Sequence, residues 1–239
     1  MIDILDKKAK EAANAFCNGN IITDRIISTI NDLYMQEIKI KEKYEKDDNF
    51  EYSYHNPITS NLEFYISRIF YHISSEKNLG WKIYLRKQIK KCAPDIRIEK
   101  NNETILVLEI KARGGWLQAF FSKETFEKEK EKEKGKYNPE DVVKNQIAQL
   151  EKYHRSFNTK NIFMFLPTYA SVHRKSYNYN YNQYKKYFNE LTKFPEENLI
   201  VLSSDLNLDL KEKLEKDMDI KKTNEFENML NKLLASTHK

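Results

Sequence analysis

Apolar positions recur along this chain with two periods, one near 3.6 residues and one of two, and the switches between them mark out the elements. Residues 2–17 and 21–46 read as helices. Ile22, Ile26, Ile30, Leu33 and Ile38 form the stripe of the second, and Asp47-Asp48-Asn49-Phe50 ends it. Residues 60–75 read as a third helix, with Leu62, Ile66, Ile69 and Ile73 on one face. Ser60 and Glu63 have the spacing of a capping box, and Glu63 also borders that apolar stripe. Residues 81–91 read as a strand leading into two further strands, 94–100 and 104–112. Asn138-Pro139-Glu140-Asp141 opens another helix, with a cap, a proline in the first turn and then acids. Its expected buried stripe is Val143, Ile147, Leu150 and His154, the last as a core histidine. The apolar runs 161–166, stopped by Pro167, and 198–203 suit parallel strands covered on both faces. Residues 206–235 read as a closing helix.

The two strands around Asn101-Asn102-Glu103 carry the chemistry. Side chains alternate along a strand, so Ile96, Ile98, Leu106, Leu108 and Ile110 share one face. Asp95, Arg97, Glu99, Val107, Glu109 and Lys111 share the other. A three-residue loop at 101–103 pairs Lys100 with Thr104, Ile98 with Leu106 and Ile96 with Leu108, and sets Asp95 opposite Glu109. A two-residue loop would set Asp95 against Leu108 and mix the faces, so the longer loop is expected. Directly opposed side chains have Cβ atoms roughly 4.5–5.5 Å apart. Two carboxylates at that spacing repel unless a proton or a cation lies between them. Mg²⁺ suits the place, since it takes one or two carboxylates and completes its shell with water and substrate phosphate. Lys111, on the same face, reaches the same water or phosphate. The competing reading is a solvated hairpin face with ordinary charge pairs; the consistent register favours the metal.

Composition narrows the class. The chain has 239 residues, 40% of them hydrophobic, and a net charge of +5 spread over a dense mixture of signs, which permits a polyanionic partner without requiring one. Two cysteines, Cys17 and Cys92, form no disulfide framework or zinc pattern, and the five histidines show no paired-ligand spacing. No apolar run approaches the ~18 residues of a membrane span, and the acidic start Met-Ile-Asp-Ile-Leu-Asp lacks a signal-peptide core. A soluble cytoplasmic protein is expected.

Pro94-Asp95 and Glu109-Ile110-Lys111 together resemble the signature of the PD-(D/E)xK nuclease superfamily. The resemblance implies an α/β fold, a restriction-endonuclease-like αβββαβ core with a mixed central sheet, and residues 60–166 supply those elements in order. It divides the chain into an N-terminal helical arm, 1–50, and a nuclease domain, 51–239, ending in a C-terminal helix. It implies Mg²⁺, with Mn²⁺ as a substitute, held by Asp95, Glu109 and the Ile110 carbonyl. Lys111 would act at the attacking water or the phosphate. Glu63 would match the further acid that such nucleases often carry on the helix before the sheet; capping is its other reading. Gln149 and Tyr153 resemble the QxxxY motif of RecB-type and Cas4-type nucleases, where they orient the site and the substrate; ordinary helix-edge positions are the alternative. The implied activity is an endonuclease on double-stranded DNA, in restriction or defence, working as a homodimer. A nuclease for single strands, branched DNA or RNA, an exonuclease, and a non-catalytic nucleic-acid-binding module on the same fold remain as alternatives.

Three polar stretches stand outside that core. Lys82, Arg86, Lys87, Lys90 and Lys91 are placed to neutralise backbone phosphates, or to solvate a strand end. The Lys/Glu run 122–136 reads as an exposed helix. The Tyr-rich segment 173–187 combines Arg174, Lys175, Lys185 and Lys186 with Tyr177, Tyr179 and Tyr181, a mix that suits stacking and phosphate contact as well as it suits a surface loop.

Overall fold

Five strands make one mixed sheet in the order β1-β2-β3-β4-β5, in a computed structural model that describes residues 1–44, 57–111, 139–168, 181–203 and 221–237. The strands are β1 (Lys82–Leu85), β2 (Ile96–Lys100), β3 (Glu103–Ile110), β4 (Ile162–Thr168) and β5 (Leu199–Ser203). β1, β2 and β3 pair antiparallel; β3, β4 and β5 pair parallel. Parallel neighbours need long crossovers. Helices α4 (Pro139–Phe157) and α5 (Tyr181–Thr192) lie in those connections. The other described helices are α1 (Ile2–Cys17), α2 (Thr23–Tyr44), α3 (Pro57–Glu76) and α6 (Glu225–Thr237). None of the described helices is long and apolar enough to cross a membrane.

The period-two pattern places an apolar layer on each side of the sheet. Ile96, Ile98, Leu106, Leu108 and Ile110, with Phe163, Phe165, Ile200 and Leu202, pack against α1, α2, α3 and α6. Val107, Met164, Leu166, Leu199 and Val201 pack against Leu150, Tyr153 and Phe157 of α4 and Phe188 of α5. β5 is buried at every position, as its continuous apolar run requires. The N-terminal helices belong to the first layer. Ala9, Ala12 and Ala13 are fully buried where α1 lies along α3, and Asp6 holds Arg68 and His72 at 2.5 and 2.9 Å. α6 closes the layer from the other end of the chain. Its Glu227 accepts the backbone N–H groups of Ile22 and Thr23 at 2.8 and 2.7 Å and so caps the start of α2.

The hairpin keeps the expected core register, Ile96 with Leu108 and Ile98 with Leu106, but reaches it by another turn. Asn101 and Asn102, at φ of 53° and 67°, form a two-residue connection, and Lys100 pairs with Glu103. Ile105 is then an extra residue between the Glu99–Thr104 and Ile98–Leu106 pairs. This bulge restores the phase that a two-residue loop would otherwise shift. Asparagine tolerates the left-handed region, which explains the turn.

Other expectations are corrected. The strand over 81–91 is only four residues long; it ends at Arg86, whose φ is 51°. Beyond it Ile89 and Cys92 exchange both backbone hydrogen bonds at 2.8 Å around Lys90 and Lys91, at φ of 50° and 60°. A left-handed lysine costs roughly 1–2 kcal/mol. α3 starts at Pro57, so Ser60 lies inside the helix and the Ser60–Glu63 capping box does not form. β4 runs through Pro167 to Thr168. Phe165 pairs toward β3, and its carbonyl takes the Lys111 N–H at 2.9 Å; Pro167, two residues on, faces the same side beyond the last β3 pair, where no ladder bond is lost. His154 is exposed and meets Phe194 edge-on, while Tyr153 occupies the core. The closing helix begins at Glu225, not 206; residues 204–220 and the Lys/Glu run 122–136 lie outside the described residues.

Candidate functional site

The hairpin's polar face and α4 meet around Glu109. Asp95 sits one residue before the Ile96–Leu108 pair, and its Oδ2 accepts the Ile110 N–H at 2.7 Å across the strands. Glu109, 4% exposed, is surrounded by donors. Its Oε1 accepts Lys111 Nζ at 2.6 Å and Gln149 Nε2 at 3.1 Å, and its Oε2 accepts the Tyr153 hydroxyl at 3.0 Å. Gln149 also donates to the Tyr153 oxygen. Helical spacing of four residues brings Gln149 and Tyr153 to the same carboxylate. Tyr153 is 1% exposed, and burial together with the Glu109 charge holds its hydroxyl protonated, far above the usual tyrosine range.

Glu63 of α3 is the third acid nearby. It is 2% exposed and paired in bidentate fashion with Arg86, whose Nη2 lies 2.7 Å from Oε1 and whose Nε reaches Oε2. That pairing raises the Arg86 pKa further. The Arg86 N–H donates to the Asp95 carbonyl at 2.9 Å, which fixes the end of β1 to the start of β2. Arg86 was not singled out for this site by the sequence, because it is one cation in a basic run and its partner lies 23 residues away.

Charge is unbalanced here. Three acids, Glu63, Asp95 and Glu109, share the neighbourhood with two cations, Arg86 and Lys111. Burial, then the charges of Glu109 and Glu63, push the Asp95 carboxyl up to about 7, against the opposing Ile110 N–H and Lys111. Oxygen donors with one surplus negative charge fit a hard divalent cation. The donors that fit are the carboxylates of Asp95 and Glu109. Among the described residues no three His, Cys, Asp or Glu side chains converge on one point, and Glu63 is engaged with Arg86. Two carboxylates meet the usual protein share of an Mg²⁺ shell.

Asp95, Glu109, Ile110, Lys111, Gln149 and Tyr153 are therefore brought together, and Glu63 stands beside them through Arg86. Arg174, Lys175, Tyr177 and Tyr179 lie outside the described residues. Lys185, left between phosphate contact and surface loop by the sequence, is instead buried: its Nζ contacts the Leu199 carbonyl and Glu225 Oε1, the latter at 2.8 Å. Burial lowers its pKa to about 8, against the charges of Glu196 and Glu197, and raises that of Glu225 to about 8, against the Val201 N–H. No family model, curated protein or solved structure matches the chain.

Proposed function

We propose that this chain is a Mg²⁺-dependent nuclease with a restriction-endonuclease-like core, hydrolysing phosphodiester bonds of double-stranded DNA in restriction or defence. The observation that carries the reading is the set of donors on Glu109, next to an Asp95 carboxyl whose pKa is raised by burial and by the neighbouring acids. Asp95 and Glu109 hold the ion, with the Ile110 carbonyl as a further oxygen. Bound there, Mg²⁺, or Mn²⁺ in its place, supplies a water of lowered pKa and charge to offset the phosphate. Lys111 carries its ammonium beside Glu109 and stabilises negative charge building on the phosphate. Gln149 and Tyr153 fix the Glu109 carboxylate, the task of groups behind a metal ligand. Glu63 and Arg86 set the base of the β1–β2 connection. One such site cuts one strand, so a homodimer suits double-strand cleavage.

A second reading has its own support. Glu109 is oriented by the Gln149 and Tyr153 pair, the arrangement implied by likeness to RecB-type and Cas4-type nucleases, which favours single-stranded, branched or terminal substrates, RNA included. Incubation with linear, circular, single-stranded and branched DNA and with RNA, in Mg²⁺ and in EDTA, separates the readings. Cleavage of closed circular duplex supports the endonuclease, and cleavage only from ends supports the exonuclease. Binding without cleavage in any metal leaves a nucleic-acid-binding module.

A further inference from the structure

We infer that the connection between β1 and β2, residues 86–95, is a second nucleic-acid contact that grips the phosphate backbone of a duplex close to Asp95 and Glu109. The inference rests on the nuclease reading for the identity of the partner.

The charge on this loop has one sign. Between Arg86 and Pro94 there is no acidic residue, and Lys87, Lys90 and Lys91 are all exposed. Arg86 is spoken for by Glu63, but none of the three lysines faces an acidic partner within the loop, and all three stay open to solvent. α4 adds the exposed Lys152, whose Nζ donates to the Lys91 carbonyl at 2.6 Å, and Lys90 Nζ donates to the Ser156 carbonyl at 3.0 Å. The loop is thus clamped to the helix that carries Gln149 and Tyr153. The Lys87 Nζ lies 5.0 Å from the centre of the Tyr84 ring, over its face at the base of the loop.

The backbone makes the same point independently. The tip is a two-residue turn, and its residues must adopt the left-handed conformation that Asn-Gly takes with least strain. The neighbouring hairpin uses Asn101 and Asn102 for the same task. Here two lysines take it, at φ of 50° and 60°. Strain of this kind persists where the side chains serve something the turn alone does not need.

Position ties the loop to the site. The Arg86 N–H closes its base on the Asp95 carbonyl at 2.9 Å, and the Ala93 carbonyl lies 3.4 Å from the Tyr153 hydroxyl that touches Glu109. Lys91 is four residues from Asp95, so the tip is within about 14 Å of it along the chain. That distance spans about four base pairs at ~3.4 Å each. Lysines contact phosphate as point charges, so this surface adds affinity for backbone without reading sequence.

The test uses Lys90→Asn/Lys91→Gly, which gives the turn its preferred residues while deleting two charges. Binding of a duplex of about 30 base pairs is measured in EDTA between about 50 and 200 mM salt, and wild-type cleavage is measured separately in Mg²⁺. The expected slope of log affinity against log salt is smaller by about 1.8 in the variant, so wild type loses about 12-fold more affinity across that range. Melting temperature holds or rises, and Lys90→Arg/Lys91→Arg keeps the wild-type slope. Lys87→Gln/Lys152→Arg probes the same surface while keeping a donor for the Lys91 carbonyl, with half the expected loss of slope, about 0.9. An unchanged slope in both charge-deleting variants, with wild-type cleavage intact, overturns the loop contact and leaves the nuclease standing. A reduced slope in a protein that cuts nothing keeps the contact and removes the nuclease reading. Absence of duplex binding by wild type overturns the loop contact, and absence of cleavage in Mg²⁺ as well overturns both.

Discussion

Asp95→Asn should make the metal-free protein more stable while abolishing cleavage. The carboxyl is buried beside Glu109 and Glu63, and its pKa is raised from an ordinary 3.8 to about 7. The folded state therefore holds this proton more tightly than the unfolded chain. Below about pH 4 both states are protonated and Asp95 costs nothing; between about 4 and 7 stability falls with rising pH; above 7 the full penalty stands. Three pH units at 1.36 kcal/mol each set an upper bound of roughly 4 kcal/mol. Asparagine keeps an oxygen for the Ile110 N–H, which lies 2.7 Å away, and carries no charge. Even half of the bound, about 2 kcal/mol, raises the melting temperature by about 4–8 °C for a domain of this size. Thermal melts in EDTA at pH 4.5 and 8.5 should show the variant's advantage in full at the higher pH and only about a quarter of it at the lower. Glu225, also raised, contributes a similar trend to both proteins, so the difference between them isolates Asp95. Added Mg²⁺ should then stabilise wild type, by about 2.7 kcal/mol at a hundredfold excess over Kd, and leave the variant unmoved. A variant no more stable than wild type at pH 8.5 in EDTA would refute the argument that three acids are crowded at this site.

The remaining outcomes test neighbouring parts. Tyr153→Phe removes one donor to Glu109 and should lower apparent Mg²⁺ affinity or cleavage rate by about 10–100-fold, read from Mg²⁺ titrations of single-turnover cleavage; wild-type titrations would reduce Tyr153 to packing. Lys111→Ala should lose single-turnover rate far more than DNA affinity, and a mutant that binds weakly but cuts bound DNA at the normal rate would assign Lys111 to positioning alone. Lys185→Ala takes a partner from half-buried Glu225 and should cost about 1–3 kcal/mol in urea denaturation while leaving the salt slope of DNA binding unchanged; a change in that slope at wild-type stability would restore Lys185 to the nucleic-acid surface.

Much of the site could be read from the chain because the hairpin enforces it. Five apolar side chains on one face of 96–110 leave only one register that keeps them together, and Asp95 follows from it. The turn did not follow, since a bulge at Ile105 and a longer loop satisfy the same apolar pattern; the Asn-Asn pair was the available signal. The phase of α4 was misjudged because Tyr153 reads as polar and His154 as a candidate for the stripe. Burial of Tyr153 depends on Glu109, a partner 44 residues earlier. Lys185 failed for the same kind of reason: its neighbours in sequence are basic and aromatic, but Glu225 is 40 residues away. Pro167 looked like a terminator because local pattern does not reveal where the adjacent strand ends.

The cap on α2 has a consequence for the order of assembly during synthesis. Thr23 and Glu227 are 204 residues apart, so at 5–20 residues per second the cap emerges roughly 10–40 s after the helix it serves. Until then the Ile22 and Thr23 amides must be satisfied by water. The first apolar layer also lacks Phe226, Met229, Leu230 and Leu233, and Phe226 is the ring that meets both Phe70 of α3 and Phe165 of β4. A nascent chain stalled before α6 therefore has the hairpin of Asp95 and Glu109 translated but its supporting layer open, and emergence of α6, not translation of the hairpin, is the event that completes the layer behind the site.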